Sequence, residues 1–329
     1  MSNAMINIPS LQQKYKEYFS IGSAVSTNTI KLHDSLLKNH FNSITAENEM
    51  KFEHLQPKDN QFTFENADRL VTFAKENGMQ MRGHALVWHN QTPDWVFENT
   101  SRSELLSRMK NHIFTVVDRY KGDIGSWDVV NEAIADECGK LLRASKWLEI
   151  IGEDFIEKAF EYAHEADSTA KLFYNDYNES HPEKREKIYM LVKSLVDRDI
   201  PIHGIGLQGH WNLADPNKDD IRMAIENYAS LGLDLHITEL DMSVFGWNDR
   251  RSNLTTPSEE MLEHQAKRYE EIFALLREYH QSITNVTFWG TADDYTWLDD
   301  FPVKGRKNWP FLFDENHQPK SSFHKVINF

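Results

Sequence analysis

Two hexapeptides carry the residue types from which hydrolytic chemistry can be built. Trp127-Asp128-Val129-Val130-Asn131-Glu132 and His236-Ile237-Thr238-Glu239-Leu240-Asp241 each place a glutamate after β-favouring residues. Two carboxyl groups that flank one bond can share the work of cleaving a glycosidic link: one protonates the leaving oxygen and the other meets the anomeric carbon. A glutamate at a strand end is also an ordinary surface residue. Asn131 just before Glu132, and Asp241 two residues after Glu239, tip the reading toward chemistry.

Further polar clusters follow other apolar runs. Glu47-Asn48 follows one, and His84, Trp88 and His89 lie in and after the next. Asn175-Asp176-Tyr177-Asn178, then Gln208 with His210, then Trp289 continue the series. The runs themselves are β-like: Phe19–Val25, Phe41–Ala46, Met79–Trp88, Ser126–Val130, Leu172–Asn175, Ile205–Gln208, Leu233–Thr238 and Val286–Trp289. Between them lie stretches with helical spacing of apolar residues, Asn66–Asn77, Ser103–Tyr120, Asp154–Asp167, Glu183–Asp199, Asp219–Leu231 and Ser258–Tyr279. Strand and helix alternating eight times with no linker predict an α/β fold, a single (β/α)8 TIM barrel, over residues 5–329. A doubly wound sheet is the alternative; it calls for a Gly-rich phosphate turn after its first strand, and Gly22-Ser23-Ala24-Val25-Ser26 is not one. Barrel enzymes place their sites at the C-terminal ends of the strands, where seven of these eight runs carry polar residues.

Composition narrows the partners. Lys and Arg total 36 against 51 Asp and Glu, a net charge of −15. Such a surface repels phosphate backbones and anionic lipid, so neither nucleic acid nor a membrane is expected, whereas a neutral substrate meets no penalty. Nine Trp, 11 Tyr and 19 Phe supply flat apolar faces with polar edges, which suit stacking on sugar rings. The single cysteine, Cys138, has no partner for an internal disulfide. Residues 1–4 before a second methionine resemble a cloning scar and are set aside. Met5–Phe19 holds no apolar run suited to a signal peptide or a membrane span, so a cytoplasmic location is expected. No oligomeric state follows from the sequence.

The motifs together resemble the family 10 glycoside hydrolases, the barrel xylanases. The matching stretches are Thr45 to Lys51, Arg82 to His89, Trp127 to Ala133, Tyr174 to Asn178, Gly206 to Trp211 and His236 to Asp241, within a match from about Phe19 to the C-terminus. Phe301-Pro302-Val303-Lys304-Gly305-Arg306-Lys307-Asn308-Trp309-Pro310 looks like the intracellular subgroup. The resemblance implies a retaining endo-1,4-β-xylanase acting on xylan-derived oligosaccharides, with Glu132 as acid/base and Glu239 as nucleophile. It implies that Asn131 bonds the 2-hydroxyl of the sugar at subsite −1, that His84 and Gln208 contact the same sugar, and that His210 holds the nucleophile with Asp241 behind it. Glu47, Asn48, Lys51 and Gln91 match residues that grip the sugar at −2. Trp88, Trp289 and Trp297 match its aromatic faces, and Tyr177 falls among the sugar contacts. Trp95, Trp147 and Trp309 read as structural.

Ala85 stands where the family usually has Thr and is expected by alternation to face the helices. His236, out of phase with Glu239, is expected to point away from the bore. No cofactor and no metal are expected: the 15 histidines include no His-Glu-x-x-His helix, and the first strand has no His-x-His pair, although a mixed His/Asp site can still assemble in space. A non-catalytic sugar-binding barrel is the reading from another class, and the presence of both carboxylates speaks against it. Activity on β-1,4-glucosides is compatible with the same mechanism.

Overall fold

Helix and strand boundaries follow from local signals. Three of the outer helices start on side-chain caps that satisfy free backbone N–H groups. Ser101 and Glu104 form a reciprocal capping box at Arg102–Arg119, Ser258 accepts from the N–H of Met261, and Asn217 accepts from that of Asp220. Arg102–Arg119 then buries Leu105, Met109, Ile113, Val116 and Val117, one stripe at helical spacing.

A computed structural model describes residues 8–329; the four residues read as a cloning scar lie outside the described residues. It contains eight barrel strands, β1 (Ser20–Val25), β2 (Ser43–Ala46), β3 (Gln80–Trp88), β4 (Ser126–Asn131), β5 (Lys171–Asp176), β6 (Gly204–Leu207), β8 (Asp234–Ser243) and β9 (Ile283–Phe288), plus a short β7 (His210–Asn212) beside β8. The larger helices between and after them are α1 (Asp34–His40), α2 (Glu65–Glu76), α3 (Arg102–Arg119), α4 (Phe155–Ala166), α5 (Pro182–Asp197), α6 (Lys218–Ala229), α7 (Glu259–Glu278) and α8 (Ser321–Ile327). All strand pairs are parallel, and the pairing of β6 with β8 and of β1 with β9 closes the sheet into the (β/α)8 barrel. The strands read from the sequence are all present, with ends displaced by a few residues. Only β7 was not anticipated, because three residues carry no periodicity.

Leu, Ile, Val and Phe side chains between barrel and helices form one continuous core. The two ends of the chain meet at its edge: the Tyr15 hydroxyl donates to the carbonyl of Val326 (2.6 Å), and Tyr15 packs on Phe19, Phe273 and Phe329. Glycine is required where the barrel tightens. A Cβ at Gly206 in β6 would sit 2.2 Å from Asn175 Oδ1, so only glycine lets the Asn175 side chain lie across that strand.

The bore holds polar groups that alternation did not place there. Arg82 on β3 forms a two-pronged ion pair with Asp128 on β4 (3.1 and 2.6 Å) and donates from Nε to His236 Nδ1 (2.9 Å). Since β3 and β8 lie on opposite sides of the barrel, His236 points into the bore, not away from it as its phase suggested. The reason is a register slip along β8 between Ile237 and Leu240, where β8 advances three residues against two on β9. It lets His236 and Glu239, three positions apart, both face inward. A similar slip between His84 and Val87 interrupts β3, so the alternation from which Ala85 was expected to face the helices does not hold there; Ala85 is buried.

Candidate active site

The polar strand ends open into one cleft of about 950 Å³. Among its lining residues are Glu47, Asn48, Lys51, His84, Trp88, Gln91, Asn131, Glu132, Tyr177, Gln208, His210, Glu239, Trp289 and Trp297. Every residue singled out from the sequence for catalysis or sugar contact is thus brought together. Asp241 stands directly behind, fully buried.

Glu239 is held by charge. His210 Nε2 lies 2.9 Å from its Oε2, and His210 Nδ1 lies 3.0 Å from both oxygens of Asp241. The Trp297 indole N–H donates to Asp241 Oδ2 (2.8 Å), which fixes the far end of the chain. His84 Nε2 stands 4.0 Å from Glu239 Oε1, and its ring is anchored through Nδ1 on Asp128 (2.9 Å). Burial alone would push the Glu239 carboxyl up; the His210 hydrogen bond and the His84 and His210 charges bring it below the usual carboxylate range. Burial likewise disfavours the His210 cation, yet Asp241 and Glu239 on either side push the imidazole up to about 10.

Glu132 sits differently. Its Oε1 accepts from the Gln208 amide (2.9 Å) and its Oε2 from the Trp88 indole (2.8 Å), both neutral donors. Its backbone is left-handed, with φ of 59°, and Arg143 Nε donates to its carbonyl (2.8 Å). A non-glycine residue in that region is uncommon and marks a conformation imposed by the surroundings. Trp88 therefore bonds Glu132 through its polar edge as well as offering its face to the cleft.

A chain of amides joins the two carboxylates. Asn175 Nδ2 donates to Glu239 Oε1 (3.0 Å) and to Asn131 Oδ1 (2.9 Å), and Gln208 Nε2 reaches Asn131 Oδ1 (3.3 Å) as well as Glu132. Thr238 donates to Asn175 Oδ1 (2.6 Å) and locks the orientation of that amide. Asn175 lay within a quoted motif but was not singled out; its role depends on three strands meeting, which spacing along the chain does not reveal.

At one end of the cleft the Lys51 ammonium donates to Asn48 Oδ1 (3.0 Å) and Gln91 Oε1 (2.8 Å). Glu47 accepts from the Tyr295 hydroxyl (3.1 Å). Burial pushes the Glu47 carboxyl up and the Lys51 ammonium down. At the other end, Tyr177 shares Asp136 with Arg143 and Lys184. Trp247, Arg250 and Phe301, on connections after β8 and β9, also line the cleft: Trp247 stands in no motif, Arg250 reads from the sequence as solvated loop charge, and Phe301 opens the quoted Phe301–Pro310 stretch without having been singled out as a sugar contact. Phe301 stacks on Trp297 with ring centres 5.0 Å apart. Trp147 and Trp309 are buried away from the cleft, and Trp95 is half-buried against Phe52, as structural roles require.

Arranged in this way, an ionised carboxylate and a second, neutrally bonded one face a groove rich in hydroxyl-binding groups and aromatic faces. The model of glycosyl hydrolase family 10 matches residues 10–329. The chain is 57% identical over 325 residues to endo-1,4-beta-xylanase B of Paenibacillus barcinonensis, covering 97% of this chain and 98% of that protein. It is 59% identical over 327 residues to an endo-1,4-beta-xylanase of Geobacillus stearothermophilus, covering 98% and 99%. A crystal structure of the Paenibacillus barcinonensis xylanase, complexed with a conduramine derivative, superposes with a TM-score of 0.97 and covers 98% of this chain and 99% of that one. A mutant structure in complex with xylotriose, 50% identical, superposes at 0.96 and covers 98% and 100%.

Proposed function

The chain belongs to glycosyl hydrolase family 10, and on that premise we propose that it is a retaining endo-1,4-β-xylanase in which Glu239 is the nucleophile and Glu132 the acid/base. The observation that carries the assignment of roles is the asymmetry of the two carboxylates. Glu239 is held as an anion by His210 and Asp241, whereas Glu132 rests on an indole and an amide. A nucleophile must be ionised; a general acid must carry a proton near working pH.

In the first step the Glu239 carboxylate forms a bond to the anomeric carbon while the bond from that carbon to the glycosidic oxygen breaks. Glu132 gives its proton to the departing oxygen. In the second step water attacks the same carbon, Glu132 takes a proton from that water, and the bond to Glu239 breaks. Two inversions leave the β configuration. Asn131, with its Oδ1 tied to Asn175, presents its own Nδ2 to the cleft, suited to a sugar hydroxyl. Lys51, Asn48, Gln91 and Glu47 form a preorganised polar grip beside Trp88. Retention calls for carboxyl groups roughly 5–5.5 Å apart, against roughly 6.5–9.5 Å for inversion. Proton NMR during early hydrolysis of xylotetraose tests the reading: the β-anomer appears first, and a first-formed α-anomer would overturn it.

The finer substrate preference is for soluble xylo-oligosaccharides over insoluble xylan, supported by this concentration of polar groups at one end of the cleft. Equal rates on xylotetraose and insoluble xylan would remove that preference. We also propose a cytoplasmic site of action, supported by the exposed, unpaired thiol of Cys138, which suits a reducing compartment. Fractionation of producing cells tests it.

A further inference from the structure

Away from the catalytic carboxylates, three side chains from distant parts of the chain converge at the seam where the barrel closes. His33 lies in the connection after β1, just before α1. Asp294 follows β9, and His317 belongs to the C-terminal segment before α8. His33 Nε2 stands 2.8 Å from Asp294 Oδ1, and His317 Nε2 stands 2.9 Å from Asp294 Oδ2. The two rings meet edge to face with centres 4.9 Å apart. One ligand atom from each of the three lies within 4.8 Å of the others.

His33 is almost wholly buried, at 1% exposure, and its Nδ1 has no hydrogen-bond partner among the described residues. Among the described residues, the contact at Asp294 is therefore that ring's only polar anchor. A buried imidazole with one nitrogen left unpaired costs stability, so its presence is explained by what the other nitrogen does. The Asp294 and His317 side chains are 20% and 31% exposed, which leaves a path from solvent and room for water on the open side.

We propose that His33, Asp294 and His317 form a binding site for a divalent transition-metal ion, with zinc as the first candidate. Two imidazoles and a carboxylate are a donor set that suits zinc, with a fourth position for water. Tetrahedral coordination at roughly 2.0–2.1 Å places donors about 3.3 Å apart, within the span of the present cluster. Coordination through Nε2 moves each neutral ring's proton to Nδ1. The bound ion joins the connections after the first and last barrel strands to the C-terminal segment, so it acts as a staple across the closure of the barrel. Tyr295, next to Asp294, bonds Glu47, 248 residues away. No spacing along the sequence marks the site, because 284 residues separate His33 from His317.

The test uses the whole chain after chelation and dialysis, with zinc chloride as the probe. Calorimetric titration is expected to give one zinc per chain, and saturating zinc is expected to raise Tm by a few degrees, as any ligand selective for the folded state does. His317→Ala, at a half-exposed position outside the cleft, is expected to fold, as checked by circular dichroism, to hydrolyse xylotetraose like the wild type, and to lose the zinc-dependent rise. Asp294→Asn is expected to weaken zinc by more than about tenfold, the loss that substitutions even outside the ligand shell commonly cause. Cobalt(II) is expected to give visible absorption bands in the wild type that His317→Ala lacks. Absence of stoichiometric zinc binding, zinc binding unchanged in both variants, or a Tm rise with calcium equal to that with zinc would each overturn the proposal.

Discussion

The ends of β4 and β8 each present a glutamate to the same cleft, yet the two surroundings have opposite electrostatic character. At β8, an anion, an imidazolium and a second anion alternate from Glu239 through His210 to Asp241, and burial strengthens each contact because little water screens it. At β4, Glu132 meets the neutral Trp88 and Gln208, while the burdens on its backbone are taken up by Arg143. One motif holds a carboxylate that charged neighbours keep ionised; the other holds one that meets only neutral donors. Residue type alone does not separate them, for both are glutamates; their hydrogen-bond partners do.

The comparison breaks most sharply if Glu239 is dispensable. Glu239→Ala is expected to end turnover on every substrate while xylotriose still binds, measured by calorimetry, since the Lys51, Asn48 and Gln91 grip is untouched. Substantial residual activity would show that another group attacks the sugar. Glu132→Ala comes next. Losing proton transfer is expected to cost roughly 10²–10⁴ in kcat on xylo-oligosaccharides, but to spare the first step on aryl xylosides whose leaving group needs no proton. Equal losses on both substrate types in pre-steady-state kinetics would withdraw the acid/base role.

Asn175→Ala probes the amide chain between the two regions. It removes a donor to an ionised carboxylate, worth about 1.5–3 kcal/mol, or a tenfold to hundredfold fall in kcat. KM is expected to change little, and a loss confined to KM would place Asn175 in substrate binding. The smallest effect sharpens the charge assignment. His210 has its folded-state value raised above the ordinary 6.5 to about 10. The stability its charge contributes is therefore fully present below pH 6.5 and is lost as pH rises through about 10. Asp241→Asn removes one of the two anions that hold that charge. The alkaline limb of the kcat/KM profile is expected to move to lower pH, and an unmoved limb would show that Asp241 only packs against His210. Glu239 runs the other way: with its value lowered, its contribution is present above the ordinary carboxylate range and is lost as pH falls through the lowered value.

What the sequence by itself determined is the barrel and the company each motif keeps. Apolar runs ending in Glu132, Asn175, Gln208 and Glu239, with amphipathic stretches between them, allow parallel strands only if helices cover them, and closure then gathers the polar ends at one mouth. Only the tertiary structure decided directions and partners. His236 faces the bore on the same side as Glu239 because β8 slips register against β9 between Ile237 and Leu240, a distortion invisible in a strictly alternating reading. Asn175 becomes the link between both carboxylates because Gly206 leaves it room and Thr238 turns its amide, contacts made across β6 and β8. His33 meets His317 only because the closed barrel returns its last connection to its first. Periodicity is a property of neighbours along a chain, whereas a hydrogen bond between strands depends on a register that only the folded sheet sets.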